Sequence, residues 1–213
     1  GMAQTELRFA LRSDPITLNP LLVKDGNSEL IRYLTGGVLV RVNRISQRLE
    51  SELATEWSQS PDGKKLTLQL RRGVRFSDGT PLTADDIVHT FDRLLAPENR
   101  NPTADSFRSG SKPPVVSAPG EHRVVIAFAE PVASAARLLD QVAVVSSASP
   151  KGFEATLGPY HVVEHKRGSH LLLKRNPHYW KRDSKGRQLP YIDGIRVTIQ
   201  PNRELEALAF RRG

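Results

Sequence analysis

Apolar and polar side chains alternate along several short stretches of this chain, and each such stretch predicts a strand. Leu7, Phe9 and Leu11 share one face between Thr5 and Arg12. Leu66, Leu68 and Leu70 repeat the pattern after Asp62-Gly63, so this run and Glu56 to Gln59 predict a hairpin. Val38 to Val42 is a further short strand, and Val124, Ile126 and Phe128 define another. Tyr160 to Lys166 and Leu171 to Lys174, joined at Gly168, predict a second hairpin, and Ile195, Val197 and Ile199 mark a strand within Tyr191 to Ile199.

Between these runs the apolar period lengthens to that of a helix. Asp14-Pro15 and Asn19-Pro20 read as turns, after which Asn27 or Ser28 is placed to cap a short helix bearing Leu30, Ile31 and Leu34, stopped by Gly36-Gly37. Thr83 is the expected N-cap of a longer one. Asp85 and Asp86 fall in its first turn, where the helix dipole favours acids, and Ile87, Val88, Phe91, Leu94 and Leu95 follow at helical spacing. Pro131 is placed to open a helix through Ala135, Leu138 and Leu139, and Arg203 to Arg212 reads as another. Residues 97–121 hold five prolines and read as one long loop. Val142 to Val145 reads as a buried strand or linker, and no internal repeat is present.

Composition narrows the chemistry. Among 213 residues, 38% hydrophobic and 25% charged suit a globular chain, and no apolar run approaches a membrane span. The absence of cysteine removes disulfides, thiolate nucleophiles and cysteine metal sites together. A net charge of +8 raises an acidic partner or nucleic acid, but the basic residues are scattered as pairs such as Arg71-Arg72 and Lys181-Arg182 rather than massed. Gly1-Met2-Ala3-Gln4 carries neither the basic flank nor the apolar stretch of a secretory signal.

His161-Val162-Val163-Glu164-His165 matches the H-x-x-E-H pattern of zinc proteases, which requires a helix to bring both imidazoles to one metal. In a strand, residues four apart are separated by about 13 Å. Gly158-Pro159 before this segment and Val162-Val163 within it favour the strand. Ser109-Gly110-Ser111 lacks a nucleophile elbow, and Asp85-Asp86 is a helix-start feature before it is an acid pair.

Six ordered segments resemble the family of extracellular solute-binding proteins that deliver oligopeptides and dipeptides to ABC importers. They are Asp14-Pro15-Ile16-Thr17-Leu18-Asn19-Pro20, Gly37 to Arg41, Leu53 to Trp57, Leu70 to Asp86 with its Phe76-Ser77-Asp78-Gly79-Thr80-Pro81 turn, Leu157 to Tyr160, and Lys174 to Trp180. Thr156-Leu157 departs from the second Gly-Thr step more usual in the family.

The resemblance implies an α/β (mixed α+β) fold of the type II periplasmic-binding-protein-like kind. Residues 5–43 and 155–213 would form a partial first lobe, and 44–154 an inserted small domain. It implies capture of a peptide or similar solute without covalent chemistry, cofactor or metal, docking on a membrane permease, and a periplasmic or extracellular, membrane-associated location. Ligand contacts would come from the segment after Asn19-Pro20, namely Val23, Lys24, Asp25, Gly26 and Asn27, whose plainer role is a loop with a helix cap at Asn27. Main-chain groups there would pair with a peptide as an added strand does. Ala207 to Gly213 resemble a helix end from which family members cross to a second lobe, so the expectation is one cleft wall, weak ligand capture and self-association through uncovered surface. A scaffold module that has lost transport, or a basic nucleic-acid binder with salt-dependent affinity, remains open at this point.

Overall fold

The computed structural model describes residues 4–149 and 154–202, and the expected helix at Arg203 to Arg212 and the segment Ala207 to Gly213 lie outside them. Two four-stranded sheets organise the chain. The first is assembled from distant pieces: β1 (Glu6–Leu11) runs parallel to the C-terminal β10 (Gly194–Ile199), which pairs antiparallel with β9 (His170–Arg175), and β8 (Tyr160–Lys166) closes the far edge. The second is a continuous antiparallel unit in the order β4 (Ala54–Gln59), β5 (Lys65–Leu70), β7 (Arg123–Ala127) and β6 (Val115–Gly120). A two-stranded ribbon of β2 (Val40–Val42) and β3 (Leu49–Ser51) leads into it.

Each sheet has its own apolar cluster. Ile31 from helix α1 (Gly26–Thr35) packs with Tyr160, Leu171, Leu173, Ile195 and Val197 of the first sheet. Helix α2 (Ala84–Leu94) lies against β6 and β7, and Ile87, Phe91 and Leu94 enter a larger core with Leu66, Leu68, Val124 and Ile126. Thr83 precedes α2 as expected, its N–H donating to the Asp86 carboxylate at 2.9 Å while Asp86 N–H returns to Thr83 O at 3.0 Å. Phe91 meets Phe107 edge to face with ring centroids 5.1 Å apart.

Several local expectations change. Residues 97–121 are not one loop, because helix α3 (Pro102–Phe107) and strand β6 fall inside it. Asn101 caps α3 by accepting from Ala104 N–H at 2.8 Å, and Pro102 sits where the missing N–H costs nothing. The cap of α1 is neither Asn27 nor Ser28 but Asp25, whose Oδ2 accepts from Ser28 N–H at 3.0 Å. The helix after Pro131 begins only at Ala135 and is a 3-10 helix to Gln141, since Ser134 takes a left-handed φ of 51°. Val142 to Val145 is a buried linker. The last strand starts at Gly194, leaving Tyr191 and Ile192 exposed outside it.

β8 has the limits the alternation predicts, with one irregularity between Val162 and Glu164. An extra residue there shifts the alternation. Tyr160, Val162 and His165 consequently oppose Arg175, Leu173 and Leu171 on one face, while His161 opposes Lys174 on the other. The two histidines of the H-x-x-E-H match cannot share an ion.

Candidate functional site

The two sheets meet where the chain crosses between them twice, at Thr35-Gly36-Gly37 and at Leu157-Gly158-Pro159. Gly158 N–H donates to Thr35 O at 3.0 Å, and Val144 N–H donates to Gly37 O at 2.9 Å. The backbones are so close that a Cβ on Gly158 would lie 2.4 Å from the Thr35 carbonyl carbon, and one on Gly37 would lie 2.7 Å from Leu157 Cβ. Glycine is required at both positions by contact distance.

Distant segments tighten this crossing. Asn176, fully buried, donates from Nδ2 to Gly158 O at 3.0 Å and accepts from His178 N–H at 2.9 Å. Ser77 N–H donates to Thr156 O at 2.8 Å, and Thr156 N–H returns to Ser77 Oγ at 3.1 Å. The turn at Phe76-Ser77-Asp78-Gly79, the Gly158-Pro159 step and the Asn176-Pro177 turn are thus one structural unit. Their chemistry is positional.

Beside the crossing a charged and aromatic cluster lines a cavity of about 170 Å³. Glu52, buried, is among the residues lining it and accepts from Arg41 Nε at 3.2 Å and from Lys181 Nζ at 3.3 Å. Arg41 also lies over the Tyr33 ring, 5.3 Å from its centroid, and Arg71 stacks on Trp180 at 4.2 Å. Burial first, and then the Glu52 carboxylate, push the Tyr179 hydroxyl up to about 12 against the opposing charge of Arg41. Tyr179 therefore stays a neutral hydrogen-bonding group.

This cavity shares Tyr33, Gly36, Val38 and Arg41 with a larger one of about 620 Å³, walled by α1, the β2–β3 ribbon and the 3-10 helix. Glu29, Glu50 and Asp140 face it together with Arg32 and Arg44, so its wall carries both signs of charge. An amphoteric ligand suits such a wall better than a purely apolar one.

The segment expected to hold ligand lies at the N-terminal end of α1. Val23 is buried and Lys24 exposed, and among the described residues neither makes a main-chain hydrogen bond. Asp25 serves as the cap; burial raises its carboxyl, but hydrogen bonding led by Ser28 outweighs this and holds it below the usual carboxylate range. Gly26 alone of the five borders the larger cavity. Asn27 donates from Nδ2 to Ser13 O and Oγ, both at 3.0 Å, tying the helix start to the end of β1. Asp14 is the other anchor, lying 2.9 Å from His165 Nε2 and accepting from Gly168 N–H at 2.9 Å.

Reading the sequence alone missed Tyr33, Arg41, Glu52 and Lys181. No local pattern joins them. Their single signal is that Arg41 closes one segment of the family resemblance, Glu52 precedes another and Lys181 follows a third.

Comparison with known proteins agrees with this architecture. Residues 48–213 match the family described as bacterial extracellular solute-binding proteins, family 5 Middle. Protein XP55 of Streptomyces lividans is 36% identical across 96% of this chain and 37% of its own length. The probable D,D-dipeptide-binding periplasmic protein DdpA of Escherichia coli is 31% identical across 78% of this chain and 35% of its own. The ABC transporter substrate binding protein CtaP of Listeria monocytogenes superposes on the whole chain with a TM-score of 0.85 at 23% identity, over 44% of its own length. The chain therefore spans a little over a third of these curated relatives. With most of its residues inside the family match and its fold shared, the chain belongs to the bacterial extracellular solute-binding proteins of family 5.

Proposed function

We propose that this chain forms one wall of the ligand cleft of a peptide or dipeptide receptor serving an ABC importer, and that it catalyses no covalent step. The observation that carries the reading is the pair of main-chain units at Val23 and Lys24, which make no hydrogen bond among the described residues and lead into Gly26 on a cavity wall of mixed charge. An extended peptide satisfies such groups by adding as a strand, and its own charged termini suit carboxylates and guanidiniums on one wall. DdpA's name assigns it D,D-dipeptides, which is chemistry of the same kind.

In this reading Val23 to Asn27 contact ligand chiefly through their backbone, with Asp25 and Asn27 holding the segment in shape. Residues 5–43 and 155–213 belong to a first lobe, and 44–154 to an inserted domain, a division supported by the two separately assembled sheets. The opposite wall comes from the length of the relatives that this chain does not match. Closure of the two walls is a hinge motion, after which the receptor docks on its permease outside the cytoplasmic membrane.

Calorimetry of residues 1–213 with mixed di- to pentapeptides tests this. Pockets bury about 70 to 90% of a ligand, so a single wall should bind peptide more weakly than micromolar, yet measurably at millimolar concentration. Micromolar or tighter binding, worth about 8 kcal/mol, would overturn the one-wall reading. No heat at millimolar peptide would overturn the ligand role.

A further inference from the structure

The turn between β2 and β3, whose Arg44 also borders the larger cavity, carries an apolar tip outside that cavity's lining. Ile45 is 96% exposed at its tip, the most exposed large apolar side chain among the described residues. Arg44 and Arg48 flank it, and neither guanidinium has a carboxylate partner among the described residues. Arg137 reaches the turn from the 3-10 helix, its Nη1 donating to Gln47 O at 2.8 Å and its Nη2 to Gln47 Oε1 at 3.2 Å. Glu50, across from Arg41 on β3, is the carboxylate nearest the tip in sequence.

This tip is rigid. Asn43 Oδ1 accepts from both Ile45 N–H and Ser46 N–H at 2.9 Å, Gln47 N–H donates to Asn43 O at 2.8 Å, and Asn43 N–H donates to Arg48 O at 2.9 Å. Gln47 takes a left-handed φ of 61° to complete the turn. Ile45 is therefore held outward by the backbone, with no side-chain packing to retain it. Exposing a β-branched apolar group on so well ordered a turn gains nothing for folding.

We propose that this turn is a contact for an anionic lipid surface, with Ile45 entering between headgroups and Arg44, Arg48 and Arg137 facing lipid phosphates. A protein partner fits less well. One side chain ringed by cations has too little area for a stable protein interface, which needs a central buried cluster, whereas a bilayer demands only shallow apolar insertion and opposite charge. The net charge of +8 adds long-range attraction of the same sign.

The chain has no cysteine, so Ile45→Cys carries a single environment-sensitive fluorophore. Vesicles of phosphatidylcholine with 30% phosphatidylglycerol should shift its emission to the blue and co-sediment the unlabelled protein, while pure phosphatidylcholine should do neither. Ile45→Ser, and separately Arg44→Ser with Arg48→Ser, should weaken co-sedimentation by about tenfold or more. Lys166→Ser with Arg167→Ser removes the same charge from the β8–β9 turn and should weaken it far less. Equal loss from the two charge pairs would reduce the effect to net charge and overturn the proposal. So would no binding to either vesicle. Tip variants weakened only toward membranes carrying the importer would assign the turn to a protein contact, which also overturns it.

Discussion

Replacing Gly158 by alanine adds one methyl group where the chain crosses between the sheets. The new Cβ would lie 2.4 Å from Thr35 C, 2.5 Å from Thr35 O and 2.7 Å from Gly36 O. All three obstacles are main chain, so no rotamer change relieves them. Carbon atoms pack at about 3.5 to 4.0 Å, so the two crossing segments must separate by about 1 Å. That movement stretches the 3.0 Å bond from Gly158 N–H to Thr35 O and the Asn176 bond to Gly158 O. Overpacking of this kind costs about 1 to 3 kcal/mol, and a weakened buried hydrogen bond adds about 1 kcal/mol, for a loss of about 2 to 4 kcal/mol. Urea unfolding of parent and variant, extrapolated linearly to water, reads this directly. Gly26→Ala is the control, because nothing lies within 4 Å of the added group; helix propensity should leave it unchanged or stabilise it by up to about 1 kcal/mol. A Gly158→Ala variant within 0.5 kcal/mol of the parent, a margin of about the usual surface effect, would refute the close-crossing argument.

Three further outcomes follow from the same contacts. Phe91→Ala, at a side chain 2% exposed and edge to face with Phe107, should lose about 3 to 5 kcal/mol by denaturant unfolding, and a negligible change would contradict its burial. Asn176→Ala removes the donor to Gly158 O and should cost about 1 to 3 kcal/mol, whereas a change below the resolution of the unfolding curve would show that the crossing does not depend on it. The Asp14 carboxyl is held below its usual range, first by the hydrogen bond from His165, against the opposing effect of burial. A depressed carboxyl contributes stability that is present above its unfolded value, about 3.9, and is lost as pH falls through the lower folded value. Asp14→Asn should therefore cost about 1 to 2 kcal/mol at neutral pH, with the gap to the parent closing below about pH 4; a gap independent of pH would remove the carboxylate from the account.

What the sequence discloses depends on the distance over which each feature is encoded. Alternation marked β1, β5, β7, β8, β9 and β10 because each strand has one face toward a core, and the capping residues of α2 stand beside its apolar stripe. Leu7 is half exposed despite the pattern because β1 is an edge strand. α3 was hidden by its length: six residues show no period, although the Asn101 cap and Pro102 were both in view. β6 ends in Pro119-Gly120 at a sheet edge, where proline is tolerated and alternation is weak. At α1 three cap-forming residues lie in four positions, and only the fold decides that Asp25 caps while Asn27 reaches back to Ser13. The Arg41, Glu52 and Lys181 cluster is wholly non-local, so family segments could point to its neighbourhood but not to its ion pairs.

The central claim is that peptide meets this chain along Val23 to Asn27. Amide chemical-shift mapping of isotopically labelled protein, titrated with the mixed di- to pentapeptides, addresses those residues one by one. The account predicts that the Val23 and Lys24 amides shift most, with smaller changes at Tyr33 and Arg41 along the adjoining wall, and with Val124 and Ile126 in the second sheet unmoved. Shifts that leave Val23 to Asn27 unchanged while peptide binds elsewhere would contradict it.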